Sequence, residues 1–146
     1  MRLAACAALA LLLPVAAHAE ASLTLTDGFV RSSNPKSGAA FMVIGNEGDS
    51  ECRLTAVESE AAERAELHTH LEEDGVMKMV GIDGGIAIPA GQTHRLERGG
   101  DHVMLLGLHQ PLAEGQTVPL SLDFGDCGMI EAELPVQNRN DAGHGH

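Results

Sequence analysis

The sequence predicts an all-β fold, a sandwich or barrel of many short strands. Short alternating or apolar segments recur along the chain at nearly regular spacing. Between them stand turn signals such as Asp27-Gly28, Asp74-Gly75 and Pro89-Ala90-Gly91. One stretch, 60–65, reads as a short helical turn, and it is too brief to set the fold.

Residues 22–26 alternate and 29–31 continue that strand beyond Asp27-Gly28. The run 32–38, with Ser, Asn, Pro and Gly, reads as a loop. An apolar strand over 39–44 is closed by Gly45-Asn46-Glu47-Gly48-Asp49. Residues 52–59 alternate, with Leu54 and Val57 as core candidates. Strands over 67–71, 76–82 and 85–88 follow, and Pro89-Ala90-Gly91-Gln92 turns the chain. Residues 93–97 and 102–108 flank Arg98-Gly99-Gly100-Asp101, and 117–124 and 129–136 complete the domain. There is no internal repeat and no sign of a second domain.

The ends read differently. Arg2, the apolar run 3–17 and Ala17-His18-Ala19 form a secretory signal peptide, expected to be cleaved after residue 19. The apolar run is shorter than the roughly 20 residues of a membrane span, so no stable membrane insertion is expected. Leu3-Ala4-Ala5-Cys6 has the look of a lipoprotein box, but Cys6 precedes the apolar run instead of following it, which favours a Cys lost with the signal peptide. The domain is assigned to residues 20–136, and 137–146 is read as a flexible, His-containing tail. Export to the periplasm would leave Cys52 and Cys127, either as a disulfide or as two buried thiols. The formal charge of −12, one unit more negative without Arg2, argues against nucleic acid and anionic membranes as partners.

The chemistry concentrates in His68, Met79, His102 and Met104. Thioether sulfur is a poor ligand for hard ions and a good one for Cu(I), so a Met and His set points to reduced copper. His68 with His70, Met77 with Met79, and His102 with Met104 are spaced i, i+2, so each pair shares a strand face. Asp74-Gly75 signals a hairpin. A two-residue loop places His70 opposite Met79; a four-residue loop places His68 opposite Met79 and His70 opposite Met77. Both registers put the two His and two Met on one face, whereas a three-residue loop would separate them. Met on a strand is commonly core filler, and Met42, Met77 and Met129 are read as core. His94 and His109 lack a soft neighbour and are read as surface or loop residues.

The region 66–112 resembles the PCu(A)C family of periplasmic copper chaperones, whose pattern is His, ten residues, Met, about twenty-one residues, His, one residue, Met. His68, Met79, His102 and Met104 match it, as do the phrases Glu-Asp-Gly-Val-Met-Lys-Met, Ile-Pro-Ala-Gly and Met-Leu-Leu-Gly-Leu. The chain departs by one extra residue between Met79 and His102, placed near Gly84-Gly85, and by His70, a competitor of His68. The resemblance implies a cupredoxin-like Greek-key β-sandwich with an exposed Cu(I) site. It also implies delivery of copper to the copper centre of cytochrome c oxidase, with an oxidase subunit or another copper chaperone as recipient.

Two other functions compete. A copper buffer or resistance protein would use the same ligands. An electron-transfer cupredoxin needs a Cys thiolate with two His, and Cys127 has no nearby His. No acid or base stands by an open metal position, so the chain is not read as an enzyme. His144 and His146 are expected to offer a secondary Cu(II) site on the tail, and His70 a secondary position beside the main one.

Overall fold

The computed structural model describes residues 22–138. The expected signal peptide, Cys6, His144 and His146 lie outside the described residues. Eleven strands form the fold: β1 Leu23–Asn34, β2 Ser37–Asn46, β3 Cys52–Leu54, β4 Ala56–Glu58, β5 Ala62–Glu73, β6 Val76–Gly81, β7 Ile86–Ile88, β8 Thr93–Leu96, β9 His102–Leu108, β10 Thr117–Asp123 and β11 Met129–Pro135. The largest sheet runs β1-β2-β9-β5-β6, with β8 also paired to β2. A second sheet orders β11-β10-β4, and β3 pairs with β7. All of these ladders are antiparallel. The architecture is a cupredoxin-like Greek-key β-sandwich: the strand pattern led one to expect an all-β sandwich or barrel, and the family resemblance implied this one.

The core lies between the sheets. Val30, Met42, Ile44, Leu67, Val103 and Leu105 from the large sheet meet Leu120, Leu122 and Leu134 from the smaller one, all buried. Alternation explains the selection: on β9, Val103 and Leu105 point inward, leaving His102 and Met104 on the other face. Cys52 and Cys127 are joined in a disulfide with Cα atoms 5.9 Å apart, tying β3 to the 3-10 turn at Gly125–Cys127.

Several expectations need correction. Residues 60–65 do not form a helical turn. β5 begins at Ala62, and the pairings Ala62↔Leu108 and Arg64↔Leu106 hold this segment extended. Helix-forming residues yield here to the ladder that an existing neighbour strand offers. The expected loop at 32–38 shrinks to a tight turn at Pro35-Lys36, with Asn34 paired to Ser37. The single strand expected over 52–59 is two short ones that join different partners, β3 with β7 and β4 with β10. Met77 and Met129 are not core: they are 56% and 60% exposed, whereas Met42 is buried as expected.

A candidate metal centre on the β5–β6–β9 face

The hairpin register decides how the candidates meet. Asp74 and Gly75 form a two-residue loop with φ of 52° and 79°, the left-handed pair of a type I′ turn. Asp and Gly are suited to it, since both enter this region more readily than other residues. Glu73 then pairs with Val76, Glu72 with Met77, and His70 with Met79. The four-residue alternative, with His68 opposite Met79, is not adopted; His68 lies opposite Gly81. On the other side of β5, His68 pairs with His102 and Glu66 with Met104. Glu66, His68, His70 and Glu72 alternate along β5, so they and their partners Met104, His102, Met79 and Met77 share one face.

This face carries an open pocket of about 380 Å³ lined by His70, Met79, His102 and Met104 together with Phe41, Arg31 and Arg98. His102 is 2% exposed. Its ring centroid is 5.3 Å from that of His70, 6.0 Å from that of His68 and 6.1 Å from that of Phe41. Met79 is 47% exposed, so one wall of the pocket is open to solvent. His68 stands behind the pocket lining, with its side chain 16% exposed.

The imidazoles are prepared for coordination. His102 Nδ1 lies 3.0 Å from the Gly100 carbonyl oxygen. A carbonyl only accepts, so Nδ1 carries the proton and Nε2 keeps its lone pair. Burial pushes the His102 pKa down, the neighbouring His70 and His68 add to this, and the Gly100 carbonyl opposes it. The ring is therefore held neutral, the form that binds metal. His68 Nε2 donates to Glu66 Oε2 at 2.8 Å, which leaves His68 Nδ1 as the lone-pair nitrogen. That hydrogen bond chiefly, aided by the Arg64 charge, holds Glu66 below the usual carboxylate range despite its partial burial. A carboxylate behind an imidazole is the usual support of a metal-binding His. His68 Nδ1 and His70 Nδ1 are both buried with no hydrogen-bond partner among the described residues.

The structure thus gathers His68, His70, Met79, His102 and Met104 on one face. His94 is not a loop residue: it belongs to β8, is half-buried, and its Nε2 lies 2.8 Å from Asp101 Oδ2. This pair braces the β8–β9 connection immediately before His102. His109 is exposed beyond β9. Sequence reasoning missed Glu66, although its i, i+2 spacing to His68 carries the signal. It also missed Phe41, Arg31 and Arg98, which reach the pocket from other strands and turns and leave no mark in local spacing. A larger groove of about 770 Å³ runs beside Glu58, Glu63, Glu131 and Glu133 but offers no soft ligand. Among the described residues both cysteines, Cys52 and Cys127, are consumed by the disulfide, so neither supplies the thiolate of a blue-copper centre.

Residues 23–136 match the LpqE-like family model. The chain belongs to the LpqE-like family. A Leifsonia xyli protein named "Putative lipoprotein Lxx21020" is 32% identical over 114 residues, covering 78% of this chain and 69% of that protein. Among solved structures, DR1885 from Deinococcus radiodurans matches in its apo form at 30% identity and TM-score 0.60, over 88% of this chain and 89% of that one. Its Cu(I) form matches at 28% identity and TM-score 0.61, over 88% and 85%. The apo PCuAC domain from PmoF1 matches at 23% identity and TM-score 0.65, over 80% and 94%. The fold is that of PCuAC domains, in agreement with the resemblance read from the motif.

Proposed function

We propose that this LpqE-like protein is an exported copper metallochaperone that holds one Cu(I) through His68, Met79, His102 and Met104. The observation that carries this reading is the strand register, which sets two thioethers and two imidazoles on one face with a half-exposed Met79. Two imidazoles and two thioethers leave bound Cu(I) with a net charge of +1 and no strongly held anionic ligand, suited to a soft ion that must leave again. Similarity to DR1885, whose structure has been solved with Cu(I), supports the same cargo here. A lipoprotein name among its relatives supports export, with the periplasm as the compartment.

In this reading the recipient is the copper centre of cytochrome c oxidase or an intermediate copper chaperone, reached at the open Met79 side. The tail residues His144 and His146 supply a second, weaker Cu(II) site. Titration of Cu(I) against a competing chelator tests the assignment. Met79→Ala and Met104→Ala should each weaken binding by about tenfold or more, the scale of even indirect changes to metal sites. Met42→Leu should leave affinity unchanged, because Met42 packs in the core. Equal affinities for all three variants would overturn the ligand set. Oxidase activity lost in a low-copper deletion strain, and restored by added copper, tests delivery. Truncation after Asn138 should remove one Cu(II) equivalent if the tail binds.

A further inference from the structure

We infer that His68, His70 and His102 form a three-imidazole site for a divalent cation, Cu(II) in the first place, overlapping the Cu(I) site. The inference deepens the proposed copper reading: the same face would change its ligand set with the oxidation state of the ion it meets. Thioethers favour Cu(I), while imidazole suits Cu(II).

Three observations converge. His68 and His102 are direct cross-strand partners, and His70 lies two residues further along the same face of β5. A metal–imidazole nitrogen distance of about 2 Å puts two ring centroids on one ion about 4.5 Å apart in cis and about 6.3 Å apart in trans positions of a tetragonal Cu(II) site, and the separations seen here fall within that span. The observed separations are 5.3 Å for His70–His102 and 6.0 Å for His68–His102. Each ring also has a ring nitrogen to spare. His102 Nε2 is left as a lone pair by the Gly100 hydrogen bond. His68 Nδ1 and His70 Nδ1 are buried without a hydrogen-bond partner among the described residues. A buried polar atom left unpaired is costly, and a shared cation would remove that cost at both positions.

The rings do not yet converge on one point. Among the described residues, no three His, Cys, Asp or Glu side chains stand arranged to hold a metal. Binding therefore requires the His68 and His70 rings to turn, and the adjoining pocket of about 380 Å³ leaves His70 room to do so. Because His68 and His102 serve both ligand sets, Cu(II) and Cu(I) exclude one another at this face. No electron transfer within the site is invoked.

The test uses the full chain carrying His144→Ala and His146→Ala, so that the tail cannot contribute. Cu(II) binding is followed by electron paramagnetic resonance and competition titration, and Cu(I) binding by chelator competition on the same samples. The background protein should bind one Cu(II) with nitrogen coordination. His70→Leu should weaken Cu(II) by about tenfold or more and leave Cu(I) affinity within about threefold. Met104→Leu should do the reverse. His70→Leu lies at a half-exposed position, and a thermal melt beside each titration confirms the fold. Unchanged Cu(II) affinity in His70→Leu overturns the three-imidazole site, and so does an equal loss of both ions. Cu(II) bound by the background protein with no Cu(I) bound would overturn the proposed chaperone function and leave the three-imidazole site standing.

Discussion

Val103 separates His102 from Met104 in the chain and stands on the opposite face of the sheet, buried among Leu67 and Leu105. One strand thus serves the core and the site with alternate residues, and the consequences of mutation should alternate too. Val103→Ala should cost stability, on the order of 1–3 kcal/mol for a fully buried side chain, and leave Cu(I) affinity nearly unchanged. Met104→Ala should do the opposite. Urea unfolding alongside Cu(I) competition reads both quantities, and a large stability loss in Met104→Ala would contradict this division. His102 adds a pH dependence. Its folded pKa lies below the ordinary 6.5, so the unfolded chain takes up a proton that the folded chain resists. The apo-protein should hold the full contribution above about pH 6.5 and lose it as pH falls through the lower folded value. The urea midpoint of wild type should therefore drop more steeply over this range than that of His102→Leu; parallel curves would refute the assignment. Period-two spacing makes these pairings legible in sequence, because a ligand pair at i, i+2 must share a face. Met77 and Met129 were not legible: spacing alone cannot say whether a strand at the rim of a sheet is covered on either side.

The Asp74-Gly75 hairpin works at the scale of an element. Its two-residue loop fixes which residue faces Met79, and sequence parity left two loop lengths open. The chain has many helix-forming residues at 60–65, yet β5 starts at Ala62, because a partner strand was available to pair with it. That neighbour is about forty residues away in sequence, so local propensity carries no trace of it. Two glycines allow an experimental contrast. Gly75 has φ of 79° but open space around a notional Cβ. Gly85 has the same φ, and its Cβ would collide with the backbone carbonyl of Leu54. Gly75→Ala should cost about 1–2 kcal/mol, the left-handed strain alone. Gly85→Ala should lower the melting temperature further, because the backbone beside β3 must also shift. Melting curves on the two single variants decide it, and equal losses would mean that the contact at Leu54 relaxes freely.

Across the whole molecule, the sandwich carries the candidate soft-ligand face on β5, β6 and β9 and a disulfide that joins β3 to the 3-10 turn. The all-β class was legible from strand spacing, and the shared face of the candidate site from three i, i+2 pairs. The sheet order was not legible, since β1-β2-β9-β5-β6 joins segments that are distant in sequence. The state of the two cysteines also stayed open in sequence, because only the fold brings their Cα atoms to 5.9 Å. The disulfide closes a loop of sequence separation 75. A cross-link of that span restricts the unfolded chain and stabilises the fold by about 4 kcal/mol on the loop-entropy model. Neither β3 nor the 3-10 turn supplies a His or Met of the candidate metal face, so the bond should support the scaffold without touching the proposed cargo. Oxidatively purified protein, denatured and assayed at Cys52 and Cys127, should therefore show no free thiol at either position. Cys52→Ala combined with Cys127→Ala should unfold at markedly lower urea yet bind one Cu(I) with wild-type affinity when folded. Two thiols that disappear only when copper is added would instead make the cysteines ligands and undo the scaffold role.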